Sequence, residues 1–286
     1  MNLSEFMSVP EKYNSFTVWS KRHPVAFLAS TYLVVLIIMA VFAPLFSGYL
    51  YDEVDLSQKN LSPSAAHWFG TDDLGRDMFT RIWYGARISL FVGFAAAAID
   101  MVVGVLWGGI AALSGGKIDE VMMRFVDIIS AIPSLLIIIS LIVVIGSGLH
   151  TIIIAIALLG WITMARVVRG QLIQLKEQGY VLAARSLGAS FWRILFRHLL
   201  PNAAGPIVVT LTLTIPSAIF TEAFLSYLGL GVQAPIASWG TMASDGLPAM
   251  QYYPWRLFFP AAFISMTMLA FNLVSNSAYG RRLTTK

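Results

Sequence analysis

Hydrophobic positions in this chain fall in long unbroken runs, without the alternation of a half-buried strand. A helix needs about 20 apolar residues, rising 1.5 Å each, to cross the hydrocarbon core of a bilayer. Val25 to Phe46 forms one such run, with no charge between Arg22 and Asp52. Ile88 to Leu113 forms a second, interrupted only by Asp100. Ile128 to Ala165 is 38 residues without a charge. As straight helix that is about 57 Å, nearly two bilayers. Gly146-Ser147-Gly148 lies mid-run and supplies a turn, so the spacing predicts helices over 122–145 and 150–168. A fifth span is expected over 201–225 and a sixth over 257–277. The fold class predicted is an all-α polytopic membrane protein with about six transmembrane helices.

Composition agrees with that pattern. Of 286 residues, 57% are hydrophobic and only 12% charged, against about 25% charged in soluble domains. A soluble globule could not wet its surface with so few charges. The net charge of +4 reads as a membrane-side bias and not as a nucleic-acid footprint. With no cysteine there is no disulfide framework and no thiol nucleophile. Glu5 and Glu11 precede Lys21 and Arg22, and the first apolar run exceeds a signal-peptide core, so a retained anchor is expected.

Charge also orients the spans. With both termini cytoplasmic, fourteen Lys and Arg residues lie inside and five outside: Lys59, Arg76, Arg81, Arg87 and Arg256. Positive charge concentrates on the cytoplasmic side, so this topology is the predicted one. It divides the chain into a cytoplasmic segment 1–24, a transmembrane domain 25–278 and a cytoplasmic tail 279–286. Extracytoplasmic loops span about 47–87 and 229–256, and one sizeable cytoplasmic loop spans about 169–200. No segment inside is large enough for a catalytic domain, so whatever powers the protein is expected on another chain.

In the cytoplasmic loop Tyr180, Ala183, Ala184 and Leu187 share one helical face, and Gly188 stands where a helix prefers to end. Ser190 is placed to N-cap a second, basic amphipathic helix carrying Arg193 and Arg197, with Pro201 opening the fifth span. Two readings stand: an interfacial connector on anionic lipid, or a docking knob whose bare alanines seat in a partner's groove.

Elsewhere, Gly115-Gly116-Lys117 fails as a phosphate loop because Ala111 and Ile118 occupy its required glycine and hydroxyl positions. Gly104 and Gly108 permit close helix approach within the chain. Asp100 falls near mid-membrane and is expected to face the bundle interior, as a pathway or gating residue or as a packing contact. Glu222 is expected near the outer end of the fifth span, lining an outer gate or binding the adjoining loop. Asp127 is expected to pair with Arg124, three residues earlier. Asp72, Asp73 and Asp77 fit no calcium loop and suggest a structural or partner-receiving surface. His23, His67, His150 and His198 do not cluster, so no metal site is expected. Trp239, Tyr252, Tyr253 and Trp255, around Asp245, have the character of an interfacial aromatic belt.

Tyr180 through Ser190, followed by Ile194 through Leu200-Pro201-Asn202, resembles the EAA loop of ABC-importer permeases. Ala183, Ala184, Gly188 and Leu200-Pro201 match that motif, while Leu182 replaces its acidic first residue. Gly70-Thr71-Asp72-Asp73-Leu74-Gly75-Arg76-Asp77 with Gly85 to Leu90, Met123 to Asp127 with Ile132-Pro133-Ser134, and Glu222 to Gly231 with Ser238-Trp239-Gly240 are similar to segments of the dipeptide, oligopeptide and nickel permeases. The chain looks like the second, C-type permease of such a pair over roughly 24–275, although Asn276 to Gly280 departs from the acidic ending common there.

The resemblance implies a type I ABC importer permease fold in the cell membrane, forming half of a translocation pathway for di- or oligopeptides. It implies a second homologous permease, two cytoplasmic ATPases and an extracytoplasmic solute-binding protein as partners. ATP and magnesium would belong to the ATPases, and no cofactor to this non-catalytic chain. The residues carried over for ATPase coupling are Ala183, Ala184, Arg185, Gly188, Ala189, Arg193 and Pro201. Nickel or another small solute is the alternative cargo. A stand-alone channel or secondary transporter would call for inverted repeats or a chain of intramembrane charges, and neither is found here.

Overall fold

A computed structural model describes residues 24–283, with side chains as far as Ser277. The N-terminal segment expected to be cytoplasmic therefore lies almost entirely outside the described residues, as does the end of the tail.

Helix α1 (Pro24–Phe46) starts on a proline, whose missing N–H is no loss in a first turn. Pro44 near its end deprives the Ala40 carbonyl of its helical donor. Arg87 supplies the replacement: Nε donates to Ala40 O at 2.5 Å and Nη2 to Val41 O at 2.7 Å. The proline break thus becomes the point where α1 is fastened to α2.

Helix α2 (Met78–Ser114) has 37 residues, about 55 Å and longer than a bilayer is thick. It begins ten residues before the expected span, because Asp77 caps it by accepting from Thr80 N at 2.8 Å. The last part of the expected outer loop is therefore helix. Gly115, with φ +63°, ends α2 and opens α3 (Gly116–Ala131).

The third expected span is not one helix. Ile132 is extended ahead of Pro133, as the residue before proline tends to be, and α4 (Ser134–Ile145) departs at 82° from α3. With 12 residues, α4 covers about 18 Å and cannot cross alone. Among the described residues there are five unbroken apolar helices of spanning length plus this bent pair.

The turn at 146–148 forms as expected, and α5 (Leu149–Leu175) follows. A short α6 (Gly179–Ser186) leads into α7, which runs unbroken over Phe191–Tyr227. The regular α-helical part of this run begins at Leu200, so Pro201 stands in its first turn as expected, while the helix continues back beyond it to Phe191. The missing N–H of the proline is absorbed by π-helical backbone over Ile194–Leu199, where Leu200 donates to the Leu195 carbonyl five residues back. After a turn come α8 (Trp239–Gly246) and α9 (Trp255–Leu283).

Packing centres on α2 and α5. A Cβ at Gly104 would collide with Met164, and one at Gly108 would lie 2.4 Å from Ala165 O, so both glycines are spent on intramolecular approach. Leu36, Ile82, Trp83, Ile219, Trp239 and Phe271 form an outer core joining α1, α2, α7, α8 and α9. Met164, Val168, Leu172, Val181, Leu195 and Leu199 form an inner one.

Candidate functional site

The inner core ends in a projecting corner. Val181 is 0% exposed and roots α6, whereas Leu187 is 88% exposed at its tip. Ala189 N–H donates to Ala184 O and Gly188 N–H to Arg185 O, both at 3.0 Å, the paired closure of a Schellman motif. That closure needs a left-handed residue, and Gly188 takes it with φ +78° and open space around its Cα. Leu182, Ala183 and Arg185 are exposed and Ala184 half-buried, so the expected alanine face points away from the protein. Ser190 precedes α7 but its side chain makes no cap hydrogen bond. The basic amphipathic segment exists as the first turns of α7, with Ile194, Leu195 and Leu199 buried and Arg193, Phe196 and Arg197 exposed.

Just above the corner, the inner ends are pinned. Arg169 grips Asp119 with Nε–Oδ1 at 2.5 Å and Nη2–Oδ2 at 2.7 Å, and Lys176 Nζ donates to Ala112 O at 3.0 Å. Asp127 pairs with Arg166 at 3.0 Å, not with Arg124. The sequence spacing favoured the neighbour on the same helix. Tertiary packing instead sets α3 beside α5, bringing the more distant arginine within reach.

At mid-depth, Asp100 is 1% exposed, and among the described residues neither carboxylate oxygen has a hydrogen-bond partner. It packs on Gly160, where a Cβ would overlap the carboxylate. Beside it opens a cavity of about 490 Å³ between α4, α5 and α7. The expected interior-facing position is borne out.

Glu222 lies nearer the outer side, 0% exposed. Its Oε1 accepts from Ser238 Oγ at 2.6 Å and Ser226 Oγ at 2.9 Å, and Oε2 from Ser89 Oγ at 3.4 Å. Ser89 Oγ in turn accepts from Trp239 N–H at 3.1 Å. Of the two expectations for Glu222, binding the adjoining loop is the one observed. Trp239 is no belt residue: it is fully buried and donates Nε1–H to Ile82 O at 2.9 Å. Tyr252 is exposed.

The outer aspartates are structural. Asp72 pairs with Arg76 at 2.7 Å and Arg81 at 3.4 Å, Asp73 with Arg256 at 3.0 Å, and Asp77 with His67 Nδ1 at 2.9 Å. His67 Nε2 meets Gln58 Oε1 on its other side. Nearby, the Ser57 hydroxyl and the Gln58 amide hold the Asp55 carboxyl below the usual carboxylate range. Among the described residues no cluster of His, Asp or Glu could hold a metal ion. Sequence reasoning missed the Asp77 cap, the Arg87 clamp and the capping box of Ser238 and Thr241. The two caps carry a local signal, a polar residue just ahead of a helix, whereas Arg87 reaches carbonyls 46 and 47 positions away and has none.

Residues 104–281 match the family described as the inner membrane component of binding-protein-dependent transport systems. Residues 21–63 match the N-terminal transmembrane domain of oligopeptide transport permease C. The chain is 60% identical over 256 residues to the oligopeptide transport system permease protein OppC of Bacillus subtilis (strain 168), covering 90% of this chain and 84% of that one. The dipeptide transport system permease protein DppC of the same organism is 53% identical, with 90% and 80% covered. OppC of Escherichia coli (strain K12) is 42% identical, with 85% and 82% covered. A solved structure of the MetNI methionine ABC transporter superposes with a TM-score of 0.58 at 19% identity, covering 71% of this chain and 95% of that one, which supports the permease fold. The motifs around Gly188, the buried acids in apolar spans and these matches agree: this multi-pass membrane protein belongs to the inner membrane permease components of binding-protein-dependent transport systems.

Proposed function

We propose that this chain is one of two permeases forming the translocation pathway of an ATP-driven importer of short peptides. Energy enters from separate cytoplasmic ATPases through the corner formed by Ala183, Ala184, Arg185, Gly188 and Ala189, with Arg193 flanking it and Pro201 in the helix that leaves it. ATP and magnesium belong to those ATPases and no cofactor to this chain. A second permease and an extracytoplasmic binding protein complete the assembly. Peptide cargo is supported by the likeness to peptide permeases along most of the chain.

The observation that carries the coupling assignment is the corner itself. Leu187 presents a bare apolar tip on a base rooted by Val181 and pinned by the Arg169–Asp119 pair. An exposed leucine on a rigid base gains stability by seating in a partner's groove. A push on that base passes directly into α5 and α7.

The test co-expresses all subunits and measures ATP-dependent uptake of a labelled dipeptide in proteoliposomes, with and without Leu187→Asp. Since Leu187 touches little of its own chain, the variant should fold and insert while losing the ATPases during purification, with uptake falling at least tenfold. Undiminished ATPase co-purification would refute the coupling assignment. Solute movement by this chain alone without ATP would refute the importer reading.

A further inference from the structure

The cavity beside Asp100 is lined by one carboxyl and by hydroxyls, Ser134, Thr163 and Ser217 among them, and its α7 wall carries three threonines that can only accept. Thr210, Thr214 and Thr221 on α7 each donate their hydroxyl hydrogen to a carbonyl four residues back, the Pro206, Thr210 and Ser217 oxygens, at 2.9, 3.0 and 2.8 Å. With their hydrogens committed, these hydroxyls offer only lone pairs to anything in the cavity. Among the described residues no lysine, arginine or histidine lines it. Asp100 stands at its wall with two buried oxygens that pack on Gly160 and have no partner among the described residues, at a depth where an unpartnered carboxyl is costly.

From this geometry we propose that the Asp100 cavity is a transient receptor for a primary ammonium group, and that the group it receives in the working importer is the free α-ammonium of the peptide. The second part rests on the peptide-import reading above. An ammonium brings three donors and one positive charge, the complement of one carboxylate among hydroxyl acceptors. A divalent metal ion does not fit as well, because among the described residues one carboxylate is the only anionic ligand lining the cavity and such ions gather several. The volume of about 490 Å³ admits a dipeptide-sized solute. The receptor need only hold the charged end while it leaves water, and a single pairing keeps that hold weak enough for release.

The test uses the complete importer in liposomes with wild-type chain, Asp100→Asn or Asp100→Glu, and labelled Ala-Ala or Lys-Ala. Loss of a charge-assisted hydrogen bond should lower Asp100→Asn uptake of both peptides about tenfold. Asp100→Glu should retain most uptake, and both variants should still assemble with the ATPases and the second permease on purification. Wild-type uptake by the Asn variant overturns the proposal. So does parallel loss of uptake and of subunit assembly in both variants, which marks Asp100 as packing. A defect confined to Lys-Ala overturns the α-ammonium assignment in favour of a side-chain ammonium. A separate measurement isolates the site from the cargo reading: n-butylammonium should protect Asp100 from carbodiimide labelling in membranes holding the wild-type complex. Absence of protection overturns the site. Protection in a wild-type complex that transports neither peptide upholds the ammonium site and removes only the peptide assignment.

Discussion

Glu222 is the side chain through which three helices meet, and its environment explains why a carboxyl is tolerated there. Ser89 arrives from α2, Ser226 from the next turn of α7 and Ser238 from the cap of α8, each donating to one of its two oxygens. Replacing it by alanine strands these hydroxyls in an apolar core and removes the acceptor that orients Ser238. A buried network broken on one side costs about 3 kcal/mol. We therefore expect Glu222→Ala to lower the Tm of the purified permease by several degrees, and Glu222→Gln to lower it less because one acceptor survives. Equal melting of Glu222→Ala and wild type would show that the network stores little stability. The same residue marks a limit of sequence reading. Its depth followed from counting residues along an apolar span, and Ser226 lies one turn on, but Ser89 and Ser238 lie 133 and 16 positions away and no local pattern announces them.

Element-level features divide by how local their cause is. Five spans and the turn at Gly146 were legible because each lipid-facing residue must be apolar, which writes the span into composition. The first turns of α2 were not legible that way, since helix that emerges from the bilayer has no reason to be apolar. The break at Pro133 was hidden inside a run whose hydropathy never falters, although the proline was there to be weighed. The corner of α6 was legible, because Gly188 occupies the one backbone position that disfavours side chains. A non-glycine residue held left-handed pays about 1–2 kcal/mol, while asparagine tolerates the conformation. Gly188→Asn should accordingly keep ATPase-driven uptake near wild type, and Gly188→Val should depress it severalfold with unchanged membrane insertion. Space around the Cα is open, so this contrast reports conformation and not collision. Full activity in the valine variant would mean that the corner's shape does not matter for coupling.

Across the whole molecule, three polar stations lie along one body: the pinned corner inside, Asp100 at mid-depth and the Glu222 hub outside. Helices α2, α5 and α7 connect them, and the coupling proposed above can act only if the corner lies on the cytoplasmic side. The distribution of fourteen basic residues against five demands that side, and the native absence of cysteine makes the demand simple to examine. Leu56 is exposed in the first outer loop and Leu187 at the tip of the corner. With Leu56→Cys or Leu187→Cys as the only thiol, a membrane-impermeant maleimide added to intact cells should label the first and spare the second. Opening the membranes should then expose Leu187→Cys when the ATPases are missing. Co-expressed ATPases should slow that labelling by covering the tip, which a surface connector resting on lipid would not show. Labelling of Leu187→Cys from outside would invert the topology and with it the direction in which force could enter.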